Sequence, residues 1–227
     1  FLSALVAAQP KLDIRLLLWD FSVLYVGERD PFPTLTLRWN TPRNIHFCLD
    51  DCVPIGSSQH QKLVVIDDTI GFSGGLDLTM RRWDTNAHKL DEPGRVDPGG
   101  KPYPPFHDVQ MLVDGEAART LGELLRARWL CAACEAAPAV DGEYDPWPDA
   151  LEPDFTGVDV AIARTEPSYL GAPPAKEVEQ LFFDSIAAAE HSIYIENQFL
   201  TSPSIAEKLA ERLRERPELE VLMVSPE

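Results

Sequence analysis

The sequence predicts an α/β protein: a mixed sheet flanked by helices, with one lobe nearly complete and a pseudo-symmetric second lobe just begun. Three observations predict it. Hydrophobic residues make up 44% of the 227 positions, enough for a sizeable core. Short apolar runs bounded by turn residues alternate with segments of helical periodicity. A helix–proline–strand unit near the start also returns near the end. Pro10 to Leu18 (PKLDIRLLL) aligns with Pro217 to Ser225 (PELEVLMVS), matching proline, leucine, an acid and a β-branched residue in the same order.

The elements follow in order. Phe1 to Ala8 reads as the end of a helix, halted by Pro10, and Leu12 to Leu18 as a buried strand. His60 to Ile66 and Ile70 to Ser73 read as two strands joined by the turn Asp67-Asp68-Thr69 and followed by the Gly74-Gly75 pair. Asn86 to Phe106, rich in proline, glycine and charge, is a long loop of the functional or mobile kind. Val109 to Val113 is a short strand, and Glu116 to Cys134 an amphipathic helix with Leu121, Leu124, Leu125 and Trp129 inward. Ala136 to Gly157 is the linker candidate, which divides the chain into a lobe over 1–135, a linker over 136–157 and a second lobe over 158–227. The strand Val158 to Ala163 is expected to open that second lobe. A helix from Ser204 to Arg216, with Ile205, Leu209 and Leu213 on one face, and a strand from Leu219 to Val224 close the chain.

Thirty-seven acidic against 20 basic residues give a formal net charge of −17, a field that repels polyanions and makes nucleic acid a disfavoured partner. A local cationic pocket can still hold one phosphate. No signal peptide is expected, because the first residues lack a cationic region and soon reach proline and charge. No uncharged apolar run approaches the roughly 18 residues of a membrane span. Compartment stays open between cytoplasmic and membrane-peripheral. Cys48, Cys52, Cys131 and Cys134 have spacings that two halves of a zinc site could share, but buried or reduced thiols are the commoner reading, and a disulfide framework is not expected. The acidic run Asp141 to Asp154 lacks the alternation and central glycine of a calcium loop, so no metal is expected.

The chemistry concentrates at His60, Lys62 and Asp67, in the spacing His-x-Lys-x(4)-Asp. On an extended segment, residues two apart share a face, so His60 and Lys62 project together while Gln61 points away. An imidazole can attack phosphorus or deliver a proton, and an ammonium can hold the non-bridging oxygens as charge builds. Gly74 and Gly75 leave room for backbone to approach the same anion, and Asp77 follows within reach of that turn.

The segment HQKLVVIDDTIGFSGGLDLTMRRWD, His60 to Asp84, resembles the first HKD motif of the phospholipase D superfamily. Pro105 to Trp129 is similar to the segment that follows that motif in the phosphatidyl-processing members, and IYIENQFL, Ile193 to Leu200, to the stretch that precedes the second motif. The resemblance implies that His60 is the nucleophile of a phosphohistidine intermediate and that Lys62 binds the phosphate with Asp77. It makes Asp84 the carboxylate that orients the ring of His60, and puts Asp67 on the turn in a structural role. Glu196, Asn197 and Gln198 would lie near the pocket floor. The implied activity is hydrolysis or transfer of a phosphatidyl group, without a cofactor, on a phospholipid or other phosphodiester, with a membrane surface as a possible partner. A nuclease, a cardiolipin synthase-like transferase and an inactive interaction module are the alternatives.

One departure is large. His46, His88, His107 and His191 each lack a lysine two positions later, so the 227 residues carry a single motif. A covalent histidine mechanism needs a second group to protonate the leaving alcohol and then activate water. That half is expected from a longer chain of which this is a piece, or from a homodimer partner. Among the remaining candidates, Arg81, Arg82 and Trp83 suit either a headgroup pocket or an exposed basic turn. His107 with Asp108 reads chiefly as the start of a strand, and Tyr103 and Trp147 as aromatics that pin loops.

Overall fold

A computed structural model gives the fold and describes residues 1–19, 41–133, 135–140 and 147–225. The chain forms two compact units, Phe1–Val160 and Ala161–Glu227. In the first, helix α1 (Leu2–Ala8) leads to strand β1 (Ile14–Trp19), which pairs in parallel with β2 (Ile45–Asp50). Asn44 fixes this junction. Its side-chain amide donates to the Pro10 carbonyl at 2.7 Å, and its own carbonyl accepts the Ile14 N–H at 2.8 Å. The pattern of IHFCLD shows neither clean alternation nor a flanking turn pair, which is why β2 has no counterpart among the predicted elements.

Strands β3 (Lys62–Ile66), β4 (Ile70–Gly74) and β5 (Gln110–Asp114) form an antiparallel sheet in that order. The predicted turn is present. The Thr69 N–H donates to the Ile66 carbonyl at 3.0 Å, and Asp67 and Asp68 take φ of 51° and 53°. Positive φ at both central residues defines a type I′ turn, whose twist matches a hairpin and whose left-handed positions short acidic side chains tolerate. Helix α2 (Gly115–Ala133) lies against β2, β3, β4 and β5 and buries Ala118, Leu121 and Trp129. Arg126 of that helix reaches the Asp68 carboxylate at 2.5 and 2.6 Å, and Asp68 is only 8% exposed. The tip of the hairpin is thereby tied to the helix by a buried charge pair.

The expectation of reduced thiols is corrected at one pair. Cys52 and Cys131 form a disulfide across 79 residues of sequence, with Cα atoms 6.3 Å apart. The helix α2 packs on β2, and the residues just beyond β2 meet the last turn of α2. Spacing along the chain carries no information about that approach. Cys134 lies outside the described residues, as does 141–146 of the predicted linker.

In the second unit, β6 (Thr165–Glu166) and β7 (Ala175–Lys176) make a short antiparallel pair ahead of α3 (Glu177–Ala188), β8 (Ser192–Glu196), α4 (Pro203–Glu215) and β9 (Glu220–Val224). β8 and β9 pair in parallel, and α3 packs on α4, burying Ile186 and Leu209. Arg212 caps the end of α3 by donating twice to the Ala189 carbonyl, at 3.0 and 2.8 Å. In each unit a helix and a proline precede a strand that enters a parallel pair: α1 with β1, and α4 with β9. The predicted strand Val158 to Ala163 is absent. Val158 and Val160 are 56% and 46% exposed, and alternation without a partner ladder does not make a strand.

Candidate active site

His60 and Gln61 precede β3, whose last ladder pair is Lys62 with Gly74. The strand predicted from His60 therefore begins two residues later. The Lys62 ammonium turns back to the His60 carbonyl at 2.9 Å and sits 3.2 Å from Asp77 Oδ1. Its side chain is 13% exposed, whereas His60 is exposed. The ammonium is thus held between the His60 backbone carbonyl and Asp77, and His60 itself is exposed. Arg82 stands 3.9 Å from the other Asp77 oxygen and lies over the Phe106 ring at 5.0 Å. Asp77 is shared between two cations.

The Gly74-Gly75 pair has a packing role that its sequence position does not reveal. A Cβ on Gly74 would lie 2.7 Å from Gln110 Cα, and one on Gly75 would lie 2.9 Å from Asp108 Cγ. The Gly75 N–H also donates to the Val109 carbonyl at 3.0 Å. The space predicted for an anion is taken, on the side where a side chain would point, by the approach to β5.

Asp84 corrects a second expectation. Its carboxylate is 4% exposed and accepts from His88 Nδ1 at 3.1 Å, Arg95 at 2.8 Å, the Thr85 N–H at 2.7 Å and the Phe106 N–H at 2.8 Å. Among the described residues no hydrogen bond joins it to His60. Burial alone would raise its pKa, but the Phe106 amide, the Arg95 guanidinium, the Thr85 amide and His88 together hold it well below the usual carboxylate range. Arg95, 1% exposed, also donates to the carbonyls of Tyr103 at 2.9 Å and Leu90 at 2.7 Å. Asp84 and Arg95 are the hub that organises the long loop. His107 meets His88 edge to face, with ring centroids 5.5 Å apart. Tyr103 donates to the Trp83 carbonyl at 2.8 Å, Trp147 to the Leu151 carbonyl at 2.7 Å, and Arg81 holds Asp97 at 2.6 Å.

Asp67, the third member of the motif, stands at the opposite end of β3 from Lys62. Five residues of extended chain separate them, about 17 Å. It belongs to the turn and not to the reacting group. Glu196, Asn197 and Gln198 lie in the second unit just after the core of β8. Glu196 accepts from the Tyr194 hydroxyl at 2.7 Å, Asn197 Oδ1 accepts the Phe199 N–H at 3.2 Å, and Gln198 is exposed.

Three residues that anchor this region have only weak signals in sequence. His88 is four positions after Asp84, visible as a spacing within WDTNAH. Arg95 lies in a loop without periodicity. Arg128 shares the helix with Arg119 and Arg126, yet it alone reaches both Gln61, at 2.7 Å, and the buried Asp50, at 2.6 Å.

The chain is an α/β protein with a histidine and a lysine two positions apart at the start of a hairpin strand. No family model matches the chain. Among curated proteins, Phospholipase D1 of Saccharomyces cerevisiae is 30% identical over 193 residues, covering 65% of this chain and 12% of its own length. Phospholipase D1 of Schizosaccharomyces pombe is 29% identical over 195 residues, 66% of this chain and 14% of its own length. Phospholipase D A of Dictyostelium discoideum is 27% identical over 176 residues, 66% of this chain and 14% of its own length. The chain is related to the phospholipase D (HKD) superfamily, and its matches span about an eighth of the length of these relatives.

Proposed function

We propose that the chain supplies one half of a phosphodiesterase site of the phospholipase D type, acting on a phospholipid by way of a covalent phosphohistidine. The observation that carries this reading is the Lys62 ammonium docked on the His60 carbonyl beside an exposed imidazole. In the first step a nitrogen of His60 attacks phosphorus, the bond from phosphorus to the headgroup oxygen breaks, and the departing alkoxide takes a proton from a second group. In the second step water or an alcohol, stripped of its proton by that same group, attacks phosphorus and releases His60. Lys62 opposes the charge that grows on the non-bridging oxygens in both steps. The second group is a histidine of another HKD half, in the same longer chain or in a second copy. Phospholipid is preferred over nucleic acid because the net charge of −17 repels a polyanion while leaving a single phosphate acceptable at Lys62.

The test is a trapping experiment on the full-length protein with phosphate-labelled lysophospholipid and rapid acid quench. Label is expected on the wild-type protein and not on His60→Ala. Headgroup release should exceed DNA cleavage at matched salt. Absence of trapping in the wild-type protein would favour an inactive module, and preferential DNA cleavage a nuclease.

A further inference from the structure

We propose that Arg128 is a positioning residue for His60, acting through Gln61. The inference rests on the reading of His60 and Lys62 as a phosphate-binding pair. Its starting point is a gap in the sheet. Lys62 is the first residue of β3 in the ladder, so His60 and Gln61 receive no strand pairing from β4. A nucleophile on an unpaired stretch of backbone would wander among conformations, and attack at phosphorus requires one of them.

Two bonds replace the missing ladder. On the site side the Lys62 ammonium holds the His60 carbonyl at 2.9 Å. At the next residue Gln61 Oε1 accepts from Arg128 at 2.7 Å. The donor is charged, which makes this bond stronger than one between neutral groups. It is also rigidly mounted. The second terminal nitrogen of Arg128 donates to Asp50 at 2.6 Å, and Asp50 is 1% exposed at the end of β2. The other oxygen of Asp50 accepts the Cys52 N–H at 3.0 Å. The planar guanidinium thus bridges β2 and the segment that carries His60, from a helix that packs on both. Lysine cannot reproduce this, since a point charge does not span two acceptors in a fixed plane.

The experiment uses Gln61→Leu, Gln61→Glu and Arg128→Lys in the 227-residue chain. It has three readouts: the melting temperature, the NMR order parameter of the His60 amide, and the vanadate concentration that half-shifts the His60 ring resonances. Gln61→Leu leaves the Asp50–Arg128 pair intact, so its melting temperature is expected to stay close to wild type. Its His60 order parameter is expected to fall from about 0.85 to below about 0.6, and vanadate binding to weaken about tenfold, the factor that accompanies loss of a hydrogen bond to a charged group. Gln61→Glu keeps an acceptor for Arg128 and is expected to restore both local readouts, whereas Arg128→Lys should behave like Gln61→Leu. An unchanged His60 order parameter in a folded Gln61→Leu protein overturns the inference, whether or not vanadate binds. Failure of vanadate to shift His60 in the wild-type protein would instead overturn the phosphate-binding reading, and the order parameters would still decide the role of Arg128.

Discussion

The disulfide between Cys52 and Cys131 closes a loop that contains His60, Lys62, Asp77, Asp84 and the whole of the long loop, so its removal tests how the first unit is held together. The perturbation is the double substitution Cys52→Ser, Cys131→Ser. A crosslink spanning 79 residues removes about 15 cal/mol/K of chain entropy from the unfolded state, which is about 4.5 kcal/mol at 25 °C. For a chain of this size each kcal/mol corresponds to roughly 2–4 °C, so the melting temperature should fall by about 9–18 °C. The assay is thermal unfolding followed by circular dichroism, beside a thiol count in denaturant that establishes the bridge in the wild-type protein. A bridged wild-type protein that melts within about 2 °C of the variant would refute the reasoning, because it would mean the unfolded loop is already as restricted without the crosslink.

Three further outcomes follow from the charge pairs. Arg95→Met removes the partner of a buried carboxylate and should cost about 3–5 kcal/mol in urea unfolding; trypsin should also cut faster after Lys89, and an unchanged rate at that bond would refute the role of Arg95 as the loop's hub. The second outcome concerns pH. The folded pKa of Asp84 lies below its ordinary value of 3.8, so the stability it contributes is fully present above about pH 4 and is lost as pH falls through the folded value. The difference in melting temperature between wild type and Asp84→Asn should therefore shrink between pH 5 and pH 2, and a constant difference would contradict the assignment. Third, Asp77→Asn should tighten vanadate binding at Lys62 by up to about fivefold, the upper end of what a surface ion pair contributes, as read by isothermal calorimetry; weaker binding would make Asp77 a ligand of the anion instead of its competitor.

Local patterns in the sequence foretell the first unit's hairpin and long helix, because a buried apolar run between turn residues and a helical stripe each express one period. Their limits are harder to foretell, since His60 looks like part of the same run and yet lies ahead of the ladder, where only the pairing of Lys62 with Gly74 decides the boundary. Contacts between distant segments are not legible in the same way. The Cys52–Cys131 bridge, the hold of Arg128 on Gln61 and the capture of the long loop by Asp84 and Arg95 depend on which faces meet after folding. The glycine pair is an instructive middle case. A functional reading of Gly74 and Gly75 follows from their smallness alone, but the atoms that demand a small residue at Gly74 are backbone atoms of Val109 and Gln110, more than thirty positions later.

The distribution of charge in the first unit gives these local facts a common consequence. Arg81, Arg82, Arg95, Arg126 and Arg128 each face a carboxylate, of Asp97, Asp77, Asp84, Asp68 and Asp50 respectively, and Lys62 faces Asp77 as well. Most of these cations are committed to holding the fold, and four of the five carboxylates they hold are nearly inaccessible, so they offer little to an incoming anion. Lys62 and Arg82 differ because the carboxylate they share, Asp77, is 47% exposed. Under the proposed function, a long polyanion, which gains affinity by neutralising many phosphates at once, would find few such cations. One phosphodiester needs only one ammonium, and in that proposal Lys62, two residues from His60, is the cation that would supply it.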